Sequence, residues 1–242
     1  MTNSRDLVYL AADIAAAKMK QRMLSVFIAS LLAGLFIGLG YLGYLHVARE
    51  TNKYFASLVF GTGLVLIVIG GGELFTGNCL MTLGVFFRRF SYWRMTLYLL
   101  MVWIGNFIGA TSLVVLLELG GADPSLGTMA VLVSEAKIGL SFSEAFFRGV
   151  LCNILVAMGV YMAYASGSVP GKILAAVLPV SLFVICGFEH CVANMFILPY
   201  GFIKSSDISF LSLLNNLIPV TLGNFVGGGI IIPGAYYLIY KR

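Results

Sequence analysis

The chain has 242 residues, of which 60% are hydrophobic and only 10% are charged. A soluble domain of this size carries roughly 25% charged residues, so this apolar excess excludes an ordinary aqueous core and makes lipid the solvent. The net charge is +5, but the basic residues stand at the ends of apolar runs without interleaved aromatics, which argues against nucleic acid as a partner. We predict one all-α membrane domain over residues 1–242, embedded in a lipid bilayer.

The first segment, residues 1–22, is polar but carries apolar side chains at helical spacing. Leu7, Leu10, Ala11 and Ile14 share one helical face, and charged residues occupy the opposite face. This pattern predicts a short amphipathic helix lying at the membrane surface.

Six apolar runs follow, each long enough to approach the roughly 20 residues that a transmembrane helix needs. They cover residues 23–47, 54–75, 95–119, 144–165, 172–188 and 216–240. The sequence therefore predicts six transmembrane helices.

The second and fifth runs are interrupted by glycines and polar residues. Residues 70–78 contain four glycines, Glu73 and Asn78, and residues 187–194 contain Gly187, Glu189, His190 and Asn194 in a similar arrangement. Irregular backbone at membrane depth persists only where protein or water satisfies its polar groups. These runs therefore predict two broken helices.

A Gly-Asn-Phe segment lies about thirty residues after each interruption, at 105–110 and again at 223–228. Residues 23–119 and 144–240 therefore form two repeats. With three spans in each, the second repeat enters the membrane from the opposite side. Paired broken helices in an inverted repeat indicate a central transport path.

The basic residues divide unevenly between the two sides of the predicted membrane. The side predicted to be cytoplasmic holds Arg5, Lys18, Lys20, Arg22, Arg88, Arg89, Arg94, Lys172, Lys241 and Arg242. The positive-inside rule then predicts a multi-pass protein of the plasma (inner) membrane with both termini in the cytoplasm.

Four motifs in order resemble those of the formate/nitrite transporter family. They are ELFTG at 73–77, FRGVLCN at 147–153, GFEH with ANM at 187–195, and NLIPVTLGN at 216–224. The resemblance covers nearly the whole chain. It implies an aquaporin-like six-helix protomer, a homopentamer, and one pore through each protomer.

The resemblance also implies which residues form apolar constrictions in that pore. One constriction falls on Phe60 and Phe183, and the other on Leu64, Leu74 and Phe75. Such rings exclude hydrated ions and pass a weak acid in its neutral form.

Polar positions of the same path fall on Thr76 in a flexible loop, His190 at the centre, Lys137 at the pore mouth, and Asn153 and Asn224. A bare anion in the apolar barrier costs on the order of tens of kcal/mol. Lys137 can concentrate anions at the mouth, and His190 can donate a hydrogen bond or exchange a proton near neutral pH. Asn153 and Asn224 serve either the substrate or interhelical hydrogen bonding.

Alternative roles remain open for the charged residues. Lys137 stands near Glu135 in a predicted loop, where it would be an ordinary solvated charge. Glu189, a candidate for the path, and Glu73 each precede a resumed half-helix, where a carboxylate can cap free N–H groups.

We predict a passive or proton-linked channel for small monovalent anions or their weak acids, with formate first. Residues 187–195 and 216–224 are most similar to formate members, whereas 73–77 and 147–153 favour nitrite, the main alternative. Hydrosulfide and short carboxylates are further alternatives. An aquaporin-like pore for neutral solutes would share the broken helices, but no Asn-Pro-Ala pair occurs.

The sequence offers no sign of enzymatic chemistry. It has no phosphate-binding loop, no nucleophile elbow and no metal-ligand pair at useful spacing, and its four cysteines form no CxxC motif. We therefore predict no cofactor and no metal.

Overall fold

In the computed structural model, which describes residues 3–241, the chain is helical throughout and has no β-strand. Residues 1, 2 and Arg242, one of the charges predicted to be cytoplasmic, lie outside the described residues. Three uninterrupted helices cross the predicted membrane: α2 (Met23–Glu50), α7 (Tyr92–Leu119) and α9 (Phe142–Ala165). The shortest has 24 residues and a length of about 36 Å, which exceeds a hydrocarbon core of roughly 30 Å.

The other three crossings are shorter or segmented. They are α3 (Lys53–Phe60) with α4 (Thr62–Gly70), then α10 (Val169–Ile185), and α12 (Phe210–Phe225) continuing through a π-helical turn (Val226–Ile231) into α13 (Ile232–Tyr240). By length and composition, five helical segments within residues 3–241 suit a membrane crossing, and α10, with 17 residues, is slightly shorter. The all-helical fold with several membrane-spanning helices is confirmed.

Both predicted breaks occur at glycines in the left-handed region of backbone space. Gly71 has a φ of 89° after α4, and Gly187 has a φ of 69° after α10. A side chain would be strained at either position, so glycine ends each helix and redirects the chain. The chain then resumes as α5 (Phe75–Asn78), a 3₁₀ turn (Cys79–Met81) and α6 (Thr82–Phe86) in one half, and as α11 (Cys191–Lys204) in the other.

These resumed half-helices form the core of the protein. Residues 73–84 are all buried, and so are residues 191–201. The outer surface is instead lined by large apolar side chains that are exposed, including Leu24, Leu58, Leu66, Leu100, Leu116, Leu132, Leu178 and Leu238. A surface this apolar matches a lipid environment.

Two 15-residue helices flank the crossings in equivalent positions, α1 (Ser4–Lys18) and α8 (Pro124–Ile138). Helix α1 packs against α6 and α13 through buried residues such as Val8 and Ala12. Its position at the membrane surface stays a prediction. Small alanine side chains permit this close contact. Helix α8 packs against α11 in the same way.

Close backbone contacts join the outer helices of each half. A Cβ atom added to Gly109 of α7 would lie 1.9 Å from the carbonyl oxygen of Leu31 in α2. A Cβ atom added to Gly223 of α12 would lie 2.1 Å from the carbonyl oxygen of Phe146 in α9. Only glycine permits either approach, which explains Gly109, three residues after Asn106, and Gly223, directly before Asn224.

Ion pairs near the ends of the crossings join α2 to the start of α8 and α11 to α7. The Arg49 guanidinium donates to the Asp123 carboxylate at 2.6 Å, and this hydrogen bond lowers the pKa of Asp123 to about 2. Lys204 pairs with Glu118 at 2.7 Å. The ends of α2, α7 and α11 and the start of α8 therefore lie on one side of the protein.

Candidate transport path

Two cavities enter the protein from opposite sides. The larger, here the Lys18 vestibule, has a volume of about 420 Å³, and its lining includes Lys18, Leu64, Glu73, Leu74 and Tyr164. Lys18 comes from α1, Leu64 from α4, Glu73 and Leu74 from the first break, and Tyr164 from the end of α9.

The smaller cavity, here the Lys137 vestibule, has a volume of about 140 Å³. Its lining includes Tyr41, Phe60, Lys137, Phe183 and His190. Phe60 and Phe183 therefore face the Lys137 vestibule, whereas Leu64 and Leu74 face the Lys18 vestibule, with Phe60 one helical turn before Leu64.

An apolar barrier separates the two vestibules. The rings of Phe60 and Phe183 meet edge to face with centroids 5.8 Å apart, and His190 stacks on Phe183 at 5.6 Å. Leu64 and Leu74 are almost completely buried at the inner end of the Lys18 vestibule. A hydrated ion has no open path between these groups.

His190 sits within this barrier and joins the two breaks. Its Nε2 atom lies 3.0 Å from Thr76 Oγ1, and its Nδ1 atom accepts the Ala193 backbone N–H at 3.1 Å. Because Nδ1 accepts, the neutral ring carries its proton on Nε2, which donates to Thr76. Forming the imidazolium would break the cap of α11, so the group that His190 can offer to a substrate is the Nε2–H as a hydrogen-bond donor.

Lys137 forms a buried ion pair at the mouth of its vestibule. Its Nζ atom donates to Glu189 Oε1 at 2.8 Å, and the Lys137 side chain is only 14% exposed. Asn194 donates to the other carboxylate oxygen at 2.6 Å. Lys137 lies in the last turn of α8, so the alternative of a solvated loop charge beside Glu135 is wrong.

The Lys18 vestibule holds an equivalent cluster that the sequence analysis missed. Lys18 Nζ donates to Glu73 Oε2 and to Asn78 Oδ1, both at 2.7 Å, and Asn78 also donates to Glu73. The sequence contains a spacing that points to this cluster. Glu73 lies 55 residues after Lys18 and five before Asn78, and Glu189 lies 52 residues after Lys137 and five before Asn194. From the sequence alone, Lys18 is assigned only to the cytoplasmic side.

Asn106 and Asn224 satisfy the backbone at the two breaks. Asn224 Oδ1 accepts the Cys191 N–H at 2.9 Å, and its Nδ2 donates to the carbonyl oxygens of Gly149 and Glu189. Asn106 makes the corresponding bonds to the Phe75 N–H and to the carbonyl oxygens of Ser30 and Glu73.

The prediction that Glu73 and Glu189 cap the half-helices is therefore wrong. Their carboxylates bind lysine and asparagine side chains, while α11 is capped by the His190 side chain and α5 has no side-chain cap. Of the alternatives for Asn224, the contacts favour interhelical hydrogen bonding.

Two other predicted path residues lie away from the vestibules. Asn153 Nδ2 donates to the carbonyl oxygens of Thr76 and Asn224 at 3.2 and 2.7 Å, which ties α9 to the first break. Phe75 lines a lateral apolar cavity between α7 and α12, so it stands apart from Leu64 and Leu74.

Phe183→Ala is expected to widen the apolar barrier without unfolding the protein. The change removes the ring that contacts both Phe60 and His190, so flux should rise or selectivity among anions should relax. The fluxes of formate and of larger carboxylates into proteoliposomes measure the change in permeation. A thermal unfolding curve measures whether the variant stays folded. A large loss of stability with unaltered permeation would show that Phe183 is merely a core residue, and Phe202→Ala on the exposed surface is the control.

The family model described as Formate/nitrite transporter matches residues 5–238. The chain belongs to this family. Its members are transporters rather than enzymes, and within residues 3–241 no three His, Cys, Asp or Glu side chains are grouped so as to hold a metal.

Among its curated relatives, a "Formate channel FocA" of Escherichia coli K12 is 31% identical, with 96% of this chain and 92% of the relative covered. A "Probable formate transporter" of Methanothermobacter thermautotrophicus is 37% identical, with 98% and 96% covered.

Solved structures of the family agree closely with the fold. An "FNT family ion channel" superposes with a TM-score of 0.90 at 29% identity, over 97% of this chain and 98% of that one. A "Pentameric formate channel with formate bound" superposes with a TM-score of 0.80 at 33% identity, over 91% and 98%.

Proposed function

We propose that this chain is a passive or proton-linked channel for small monovalent anions, with formate as its substrate. The observation that carries the proposal is the sequence of environments along the path: a lysine vestibule, an apolar barrier containing His190, and a second lysine vestibule. The names of the relatives favour formate over nitrite.

Each environment meets one requirement of moving an anion through lipid. The lysines raise the local anion concentration because low-dielectric walls focus their fields. At the barrier, the Nε2–H of His190 can donate a hydrogen bond to a substrate anion that displaces Thr76, and a proton relayed from bulk solvent through vestibule water neutralises the anion. A weak acid that gains a proton there crosses the phenylalanine and leucine side chains in neutral form, which avoids most of the desolvation cost.

We further propose a homopentamer in the plasma membrane with one path through each protomer. A pentameric formate channel is among the solved relatives, and the outer helices expose apolar side chains for lipid or neighbours. Helices α1 and α13 contact each other, so the described ends of the chain lie on the Lys18 side. The arginines of that side make it the cytoplasmic one.

Uptake of several weak acids by proteoliposomes tests the function. Formate is expected to enter fastest, and faster entry of nitrite or of water would support those alternatives instead. Lys137→Ala alone would leave Glu189 buried without its counter-ion, a defect that typically costs about 3–5 kcal/mol. The sharper variant is Lys137→Met with Glu189→Gln, which removes both charges together.

This double variant is expected to weaken uptake most at low formate concentration and to remove part of the salt dependence. Lys53→Met is the matched control, because Lys53 is exposed on the same side and lies outside the vestibule. Unchanged concentration dependence in the double variant would contradict an anion-concentrating role.

A further inference from the structure

The two lysine clusters differ in how many donors they leave free. Lys18 Nζ has two acceptors, Glu73 and Asn78, at 2.7 Å each. Lys137 Nζ has Glu189 at 2.8 Å and, within residues 3–241, no other acceptor. Since an ammonium group has three N–H donors, one remains for an anion in the Lys18 vestibule and two in the Lys137 vestibule.

Asn216 of α12 causes this difference. Its Nδ2 atom donates to the backbone carbonyl of Lys137 at 2.9 Å, so its Oδ1 atom faces Asn194 and accepts from Asn194 Nδ2 at 2.7 Å. Asn194 Nδ2 also donates to Glu189. With both hydrogens committed, Asn194 keeps its Oδ1 buried and, within the described residues, unbonded. The Asn194 oxygen therefore does not accept from Lys137, whereas the Asn78 oxygen accepts from Lys18.

The first half of the protein lacks such a residue. When Asn106 is matched to Asn224, the position equivalent to Asn216 is occupied by Tyr98, eight residues earlier in α7. The Tyr98 hydroxyl is buried and forms no hydrogen bond with the described residues. It therefore imposes no orientation on Asn78, whose oxygen faces Lys18.

Resting on the proposed function, we propose that Asn216 is a positioning residue that makes the Lys137 vestibule the tighter of two anion-capture sites. Its ligand is a small carboxylate or similar oxyanion able to accept two N–H groups from one ammonium. The vestibule volumes support this proposal. The Lys137 vestibule has about 140 Å³ and the Lys18 vestibule about 420 Å³, so an anion in the Lys137 vestibule lies closer to its lysine with less screening water between them.

A passive channel with unequal capture sites drives no net flux by itself, but it saturates at different concentrations from its two sides. Formate entering from the Lys137 side therefore reaches half-maximal flux at a lower concentration than formate entering from the Lys18 side. Removing the Asn216 amide lets Asn194 turn its oxygen to Lys137, which makes the two sites alike.

The test measures sodium formate flux from each side in proteoliposomes. Orientation is assigned with a membrane-impermeant maleimide on Asp207→Cys, which lies between α11 and α12 on the Lys137 side, in a Cys186→Ser background. In Asn216→Leu, the half-saturating concentration from the Lys137 side should rise roughly 3- to 10-fold, the value of one hydrogen bond. Maximal flux from the Lys137 side should rise in the same proportion, because a passive path has the same ratio of maximal flux to half-saturating concentration in both directions. Entry from the Lys18 side should stay unchanged, as should every measurement in the exposed neighbour Asn215→Leu.

If the half-saturating formate concentration is the same from both sides of the wild-type protein, the proposal is overturned. This comparison uses the wild-type protein alone, so it does not depend on whether a variant folds. A shift of both sides together in Asn216→Leu would also overturn it and would assign Asn216 a purely structural role. Asn78→Leu frees a donor of Lys18 and should lower half-saturation on that side only. A wild-type protein that carries no formate at all would instead refute the proposed function, and this inference with it.

Discussion

His190→Phe is expected to reduce formate flux at least about tenfold, because one hydrogen bond to a charged group contributes roughly 1.5–3 kcal/mol. The phenyl ring has nearly the size of imidazole but cannot donate to Thr76 or to a substrate that takes its place. An anion then meets the Phe60 and Phe183 rings without the hydrogen-bond donor that would hold it where a proton relayed through vestibule water reaches it. The dependence of flux on pH should flatten as well.

Two further variants separate the proton from the hydrogen bond. His190→Asn keeps an acceptor for the Ala193 N–H but has no proton to exchange near neutral pH, so it should retain folding and lose the pH dependence. Thr76→Val should lower flux and keep the wild-type pH profile. Stopped-flow flux against pH in liposomes gives both readings. Full flux with an unchanged pH profile in His190→Phe would leave His190 as a structural residue only.

Asn224→Leu is expected to destabilise the folded protein by at least about 3 kcal/mol, since each buried polar group left unpaired costs roughly 1–3 kcal/mol. The substitution conserves approximate volume but removes the partners of the Cys191 N–H and of the Gly149 and Glu189 carbonyl oxygens. Asn224 is completely buried, so these groups lie away from bulk solvent. Thermal unfolding in mild detergent and the yield of folded protein measure the effect.

The matched control is Asn215→Leu, which makes the same change at an exposed position of the same helix and should have little effect. Asn106→Leu should destabilise as strongly as Asn224→Leu, because Asn106 makes the corresponding three bonds in the first half. Normal stability in both variants would contradict the bracing role of these asparagines.

The crossings and breaks could be predicted from the sequence because both depend on local composition. Long apolar runs form helices in lipid whatever their neighbours are, and Gly71 and Gly187 provide backbone conformations that other residues resist. The repeated Gly-Asn segments likewise indicated two equivalent halves. Phe60, Phe183 and His190, implied by family resemblance, do lie together beside one vestibule.

The partners of the buried polar groups could not be predicted in this way. A glutamate before a half-helix can either cap the helix or pair with a basic side chain, and the local sequence does not distinguish the two. Glu189 forms an ion pair because α8 places the Lys137 Nζ atom 2.8 Å from its carboxylate. Lys18 was missed for the same reason. Its distance from Glu73 along the chain is 55 residues, and only the packing of α1 beneath the half-helix brings the two together.

The sequence by itself therefore determined the membrane environment, the number of crossings and the position of each break, since these follow from local hydrophobicity and backbone freedom. Tertiary structure decided which side chains satisfy those breaks, with Asn106 and Asn224 bracing the backbone and His190 meeting Thr76 from 114 residues away. Hydrogen-bond partners in a buried site are chosen by proximity, and proximity between distant segments exists only after the helices have packed.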